Sequence, residues 1–77
     1  MADSRNKGAG GGFAEALREI RQEKGLSQEE LADRAGLHRT YISQIERAIK
    51  SPSLRSLEQI ARALDVLLST LIKRMEN

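Results

Sequence analysis

"GLSQEELADRAGLHRTYISQIER", residues 25–47, decides the fold. Ser27 and Glu30 stand three residues apart, the spacing of a capping box, in which each side chain satisfies an orphan backbone N–H at a helix start. Leu31, Ala32 and Ala35 then recur at helical spacing, and Gly36 ends the run. A second apolar set, Tyr41, Ile42 and Ile45, begins just past His38. Only Gly36 and Leu37 lie between Ala35 and His38, so two short helices must cross steeply, with the small Ala32 where they approach. That arrangement is a helix-turn-helix. A generic helical bundle would use the same glycine merely as a cap, and at this point both readings stand.

Working outward, the chain reads as all-α. Phe13, Leu17 and Ile20 mark a first helix over roughly residues 13–24, which stops where Gly25 takes the left-handed conformation and Leu26 folds back onto it. Pro52 bars continuation of the third helix, and Ser53 caps a fourth through Leu54, Leu57, Ile60, Ala61 and Leu64. Val66, Leu67, Leu68, Leu71, Ile72 and Met75 form a last apolar segment. The expected fold is a compact five-helix domain over residues 13–77. It follows a flexible arm, residues 1–12, which holds four of the six glycines.

Composition narrows the classes. With no cysteine among 77 residues, disulfides and thiolate metal sites are excluded, and a reducing, cytoplasmic setting fits. No stretch approaches the roughly 20 apolar residues of a membrane span. The single histidine, His38, has no Cys or His partner, so neither metal nor cofactor is expected. Ser27 and Ser53 read as caps rather than nucleophiles, and "GAGGG" lacks the lysine and hydroxyl residue of a phosphate loop. The acidic residues from Glu15 to Asp33 read as a solvated face. No enzyme is indicated, and so compact a domain suggests no small-molecule pocket.

The net charge of +2 conceals an uneven distribution. Residues 13–36 carry four basic and six acidic side chains, a balance of −2, whereas residues 38–56 set Arg39, Arg47, Lys50 and Arg55 against Glu46 alone, a balance of +3. Phosphate is the favoured partner of such a patch. On the third helix Ile42 and Ile45 face inward. Arg39, Ser43 and Arg47 then share one outer ridge, and Thr40 and Gln44 the next. Arg39, Thr40, Ser43 and Gln44 form a set able to read base edges: Arg pairs with guanine, Gln with adenine, and Thr touches a thymine methyl. The major groove, about 12 Å wide, admits such a helix. Gln28 at a helix start, with Arg47, Lys50 and Ser53 on the other side, suits phosphate, and His38 is expected near it too.

"GLSQEELADRAGLHRTYISQIER" followed by "SPSLRSLEQIARALDV" resembles the phage-repressor and Cro type of helix-turn-helix DNA-binding domain. The resemblance covers residues 13–72. The "GLHRTYIS" wording is most like controller proteins of restriction-modification systems, although single-domain phage repressors and antitoxins share the vocabulary. The resemblance implies a lambda repressor-like fold and a double-stranded DNA operator. It implies that Arg39, Thr40 and Gln44 stand where the family reads bases, and that Ser43 touches bases or phosphate. Gln28, Tyr41 and Arg47 stand near the backbone. Arg21 and Glu46 match a largely buried ion pair between the first and third helices.

The chain departs from the family pattern in two places. Ala48 and Ile49 stand where glycine and a basic residue are common. Alanine tolerates the left-handed conformation poorly, so the third helix is expected to run on or to end differently. Leu67 stands where a capping serine is common. With so small a core, Leu67, Leu68, Leu71, Ile72 and Met75 are expected to form an apolar dimer surface. The reading is therefore a homodimeric transcriptional regulator, repressor or activator, with RNA polymerase as a possible further partner. The rival is a protein-binding helical adaptor that uses the last helix.

Overall fold

Ser27 Oγ accepts the Glu30 N–H at 3.0 Å, and Glu30 Oε1 accepts the Ser27 N–H at 2.8 Å, which closes the capping box. The helix it starts is the second of five. A computed structural model describes the backbone of residues 2–75 and the side chains of residues 12–74. Its helices are α1 (Ala2–Glu23), α2 (Gln28–Ala35), α3 (Arg39–Glu46), α4 (Leu54–Leu64) and α5 (Leu68–Met75), with no strand among the described residues.

α1, α2, α3 and α4 end with the same device. A residue in the left-handed conformation turns the chain, and the next N–H reaches back to a carbonyl one turn inside the helix. Leu26 N–H bonds Arg21 O at 3.1 Å, Leu37 N–H bonds Ala32 O at 2.9 Å, Ile49 N–H bonds Gln44 O at 2.9 Å, and Val66 N–H bonds Ala61 O at 3.0 Å. The residues at the turns are Gly25 (φ 72°), Gly36 (φ 71°), Ala48 (φ 60°) and Asp65 (φ 60°). Ala48 thus corrects an expectation. α3 neither runs on nor ends differently, because two carbonyl acceptors hold Ala48 left-handed against its steric preference.

Leu17, Ile20, Leu31, Ile42, Ile45, Ile60, Leu64 and Leu71 are fully buried. Each aliphatic chain so buried contributes roughly 1.5–3 kcal/mol, so the core holds without a fully buried aromatic. α2 packs on α3 and α4, while α1 packs on α3 and α5, and α4 also meets α5. Every buried side-chain nitrogen or oxygen among the described residues has a hydrogen-bond partner.

Of residues 1–12, read as an arm, the backbone from Ala2 continues α1, and the side chains of residues 1–11 lie outside the described residues. One reading of the last helix differs from the structure. Leu71, assigned to a dimer surface, is fully buried within the monomer, in one cluster with Leu17 and Ile20. The reason is geometric: α5 lies along α1, and the stripe containing Leu71 faces that helix. Leu68 is half-buried against the same core. Leu67 (72% exposed) and Ile72 (37%) remain outside it, and the Met75 side chain lies outside the described residues.

Candidate nucleic-acid interface

His38 starts α3. Its backbone is extended, and its Nδ1 accepts the Thr40 N–H at 3.3 Å. From that cap, Ile42 and Ile45 descend into the core, while Arg39 and Thr40 stand exposed and Ser43 and Gln44 half-buried. Of the four proposed base-reading residues, Arg39 and Thr40 are thus open to solvent, while Ser43 and Gln44 are partly covered. Arg47 and Lys50 are exposed just beyond the helix, and Ser53 is exposed at the start of α4. Arg55 lies exposed two residues further on. Together they extend the basic surface from α3 across the loop.

Glu46 is the one acid on α3, and it faces inward. Its side chain is 2% exposed. Arg21 holds it with two bonds, Nε to Oε2 at 2.6 Å and Nη2 to Oε1 at 3.0 Å. Gln28 Nε2 adds a third at 3.0 Å, and Arg21 Nη1 also donates to Leu26 O at 2.7 Å. Arg18, not foreseen from the sequence, bonds the Glu46 backbone carbonyl at 3.3 Å. A buried carboxylate needs such full coordination. The consequence for the surface is that α3 presents no acidic side chain of its own beside Arg39.

Two expected phosphate ligands are occupied inside the chain. The Gln28 amide is spent on Glu46, because one arginine leaves acceptor capacity on a buried carboxylate unfilled. The half-buried Tyr41 donates its hydroxyl to Ser56 Oγ at 3.1 Å, since a phenol at a helix contact takes the nearest polar partner. Each therefore makes a hydrogen bond within the chain that the sequence reading did not include. Ser53 caps α4 as expected, accepting the Ser56 N–H at 3.1 Å.

Ser56 and Gln59 were missed altogether. Ser56 is 7% exposed and accepts from both Tyr41 and Ser53. Gln59 Nε2 reaches across to the Ala35 carbonyl at 3.2 Å. The signal available was weak: two polar residues three apart, flanking Leu57 and preceding Ile60, on the face where α4 is otherwise apolar. Elsewhere, Arg74 of α5 bridges Glu19 and Glu23 of α1 at 3.4 and 3.3 Å, and the Glu23 hydrogen bond raises its pKa.

Among the described residues, no helix is long and apolar enough to cross a membrane. A helix-turn-helix family model matches residues 17–71. The control protein C.BamHI of Bacillus amyloliquefaciens is 49% identical over 55 residues, which cover 70% of this chain and 68% of that one. The HTH-type transcriptional regulator SinR of Bacillus licheniformis is 38% identical over 65 residues, 83% of this chain, and the match spans only 59% of SinR. The crystal structure of the restriction-modification controller protein C.AhdI from Aeromonas hydrophila superposes with a TM-score of 0.77 at 43% identity, covering 79% of this chain and 92% of that one. The five helices are those of an all-α, lambda repressor-like domain, as the sequence reading expected. The chain belongs to the helix-turn-helix family that includes these controller proteins.

Proposed function

We propose that the chain is a homodimeric transcriptional regulator that reads an inverted-repeat operator in double-stranded DNA, as a controller of the restriction-modification type. One observation carries this reading: α3 turns Arg39 and Thr40 fully outward while its only acid, Glu46, is neutralised inside. The half-buried Ser43 and Gln44 border the same face. Arg39, Thr40, Ser43 and Gln44 read base edges, and Arg47, Lys50, His38 and Ser53 hold phosphates. The similarity to C.BamHI and C.AhdI supports the controller assignment, because the match covers most of both proteins.

Dimerisation supplies the second half-site contact. Two recognition helices about 34–36 Å apart meet successive major grooves on one side of the duplex, with half-site centres about 10 bp apart. Leu67 and Ile72, two of the exposed large apolar residues, are available on the last helix and its approach for that contact. A dimer bound beside a promoter meets RNA polymerase and represses or activates according to operator position.

Selection from a random duplex pool at about 150 mM salt tests the reading, with Arg39→Ala and Arg47→Ala beside the wild type. The expected result is an enriched inverted repeat that loses preference at one base position in Arg39→Ala. Arg47→Ala should bind all duplexes more weakly, with a flatter salt dependence. If the folded wild type enriches no sequence, the adaptor reading takes over, and Leu67 becomes the place to seek a protein partner.

A further inference from the structure

We infer that Ser56 and Gln59 are positioning residues for DNA reading: from α4 they pin both helices of the helix-turn-helix and so set the angle at which α3 is presented. The inference rests on α3 being the base-reading helix. Neither residue lies on the outer face of α3, so both act through others.

The turn between α2 and α3 is only Gly36, Leu37 and the cap residue His38. The turn's own hydrogen bonds use the carbonyls of Ala32 and Asp33. The Ala35 carbonyl, on the last residue of α2, is taken instead by Gln59 Nε2 at 3.2 Å, from 24 positions away in the chain. Three residues earlier on α4, the buried Ser56 accepts the Tyr41 hydroxyl at 3.1 Å. Residues three apart on a helix share a face. One face of α4 therefore grips the end of α2 and the first turns of α3 at two points.

Apolar packing alone would not fix this angle. Ala32, Ile42 and Ile45 are aliphatic, and although their close packing resists gross movement, contact among them is non-directional and leaves room for a small roll. The Gln28–Glu46 bond ties the start of α2 to the end of α3 but leaves the turn between them unpinned. Hydrogen bonds restrict both distance and direction. Base-reading side chains need placement within about 0.5 Å, which a small roll of α3 would exceed at Arg39. Phosphate contacts made by flexible lysine and arginine side chains tolerate such a roll. Loss of a pin should therefore lower discrimination between duplexes far more than it lowers binding to any duplex.

The test compares the full chain with Gln59→Leu, Ser56→Ala and Gln59→Lys. Lysine keeps a donor within reach of the Ala35 carbonyl, and Ser56→Ala leaves the backbone cap of α4 intact, because that bond uses the Ser56 N–H. Affinities are measured at one salt concentration for the selected inverted repeat and for a random duplex, with amide exchange at Gly36 and Leu37. Gln59→Leu and Ser56→Ala should each weaken the selected duplex by about 5-fold while changing the random duplex by less than about 2-fold. Gln59→Leu should also speed exchange at Leu37 relative to core amides. Gln59→Lys should keep the wild-type ratio, its added charge strengthening both duplexes alike. Equal losses on both duplexes, or no loss on either, overturn the assignment. A wild type with no preference overturns the DNA-reading function itself, and that outcome appears in the wild-type arm alone.

Discussion

Arg21 Nε lies 2.6 Å from Glu46 Oε2, and this pair ties α1 to the helix that carries Arg39 and Thr40. Both side chains are largely buried, at 11% and 2% exposed, so removing either strands the other in a poorly solvated place. Arg21→Ala should cost about 3–5 kcal/mol, measured by urea unfolding. The double variant Arg21→Met with Glu46→Leu should be more stable than Arg21→Ala, since no charge is left behind. A cost below about 1 kcal/mol for Arg21→Ala would instead describe a solvated surface pair.

Ala48 holds φ 60° with a β-carbon in a conformation that glycine adopts freely. Ala48→Gly relieves that strain but gives the unfolded chain more freedom, worth about 0.4–1 kcal/mol. The strain is the larger effect, at roughly 1–2 kcal/mol. A net gain of about 0.5–1 kcal/mol, a few degrees in Tm, should appear in thermal unfolding. An unchanged or lower Tm would mean that the turn relaxes at no cost in the alanine chain.

α5 begins without a side-chain cap: the Leu71 N–H bonds the Leu67 carbonyl at 3.1 Å, and the Leu67 side chain has no acceptor to offer. Leu67→Ser should stabilise the monomer by about 1 kcal/mol while weakening self-association. Ile72→Glu should weaken association without unfolding the monomer. Leu71→Glu should unfold the chain outright, because Leu71 is fully buried. Sedimentation equilibrium with circular dichroism separates the three. A Leu67→Ser protein that associates as well as the wild type excludes Leu67 from the interface.

The Glu30 carboxyl is held below the usual carboxylate value, chiefly by the backbone N–H of Ser27 and then by the Ser27 hydroxyl. A carboxylate depressed in the folded state adds stability above its unfolded pKa, about 4.3, and loses it as pH falls through the folded value. Glu30→Gln should therefore flatten the acid limb of the Tm–pH profile below about pH 4.3 and lower the plateau above it. Parallel profiles for the two proteins would show that the capping box contributes nothing through charge.

How much was readable in advance follows from what each feature depends on. The helix-turn-helix was legible because its determinants are local: the Ser27–Glu30 box, the Gly36 turn and the stripe from Tyr41 to Ile45 lie within residues 27–45. The left-handed Ala48 was misjudged, because residue preference argues one way and the acceptor carbonyls of α3 argue the other. Leu71 was misplaced because helical spacing shows a stripe without showing which neighbour covers it. The internal partners of Gln28, Tyr41, Ser56 and Gln59 were missed for a related reason. Each bonds a residue 15 to 24 positions away, and composition gives no hint of such pairings.

The burial of Leu71 between α5 and the face of α1 that carries Leu17 and Ile20 also bears on synthesis. The helix-turn-helix is made before α5, whose Leu71 helps to cover the first helix. Until α5 arrives, Leu17 and Ile20 lack part of their cover, and the bonds from Arg74 to Glu19 and Glu23 cannot form. Closure of this core therefore waits on α5, which follows the helix-turn-helix in the order of synthesis.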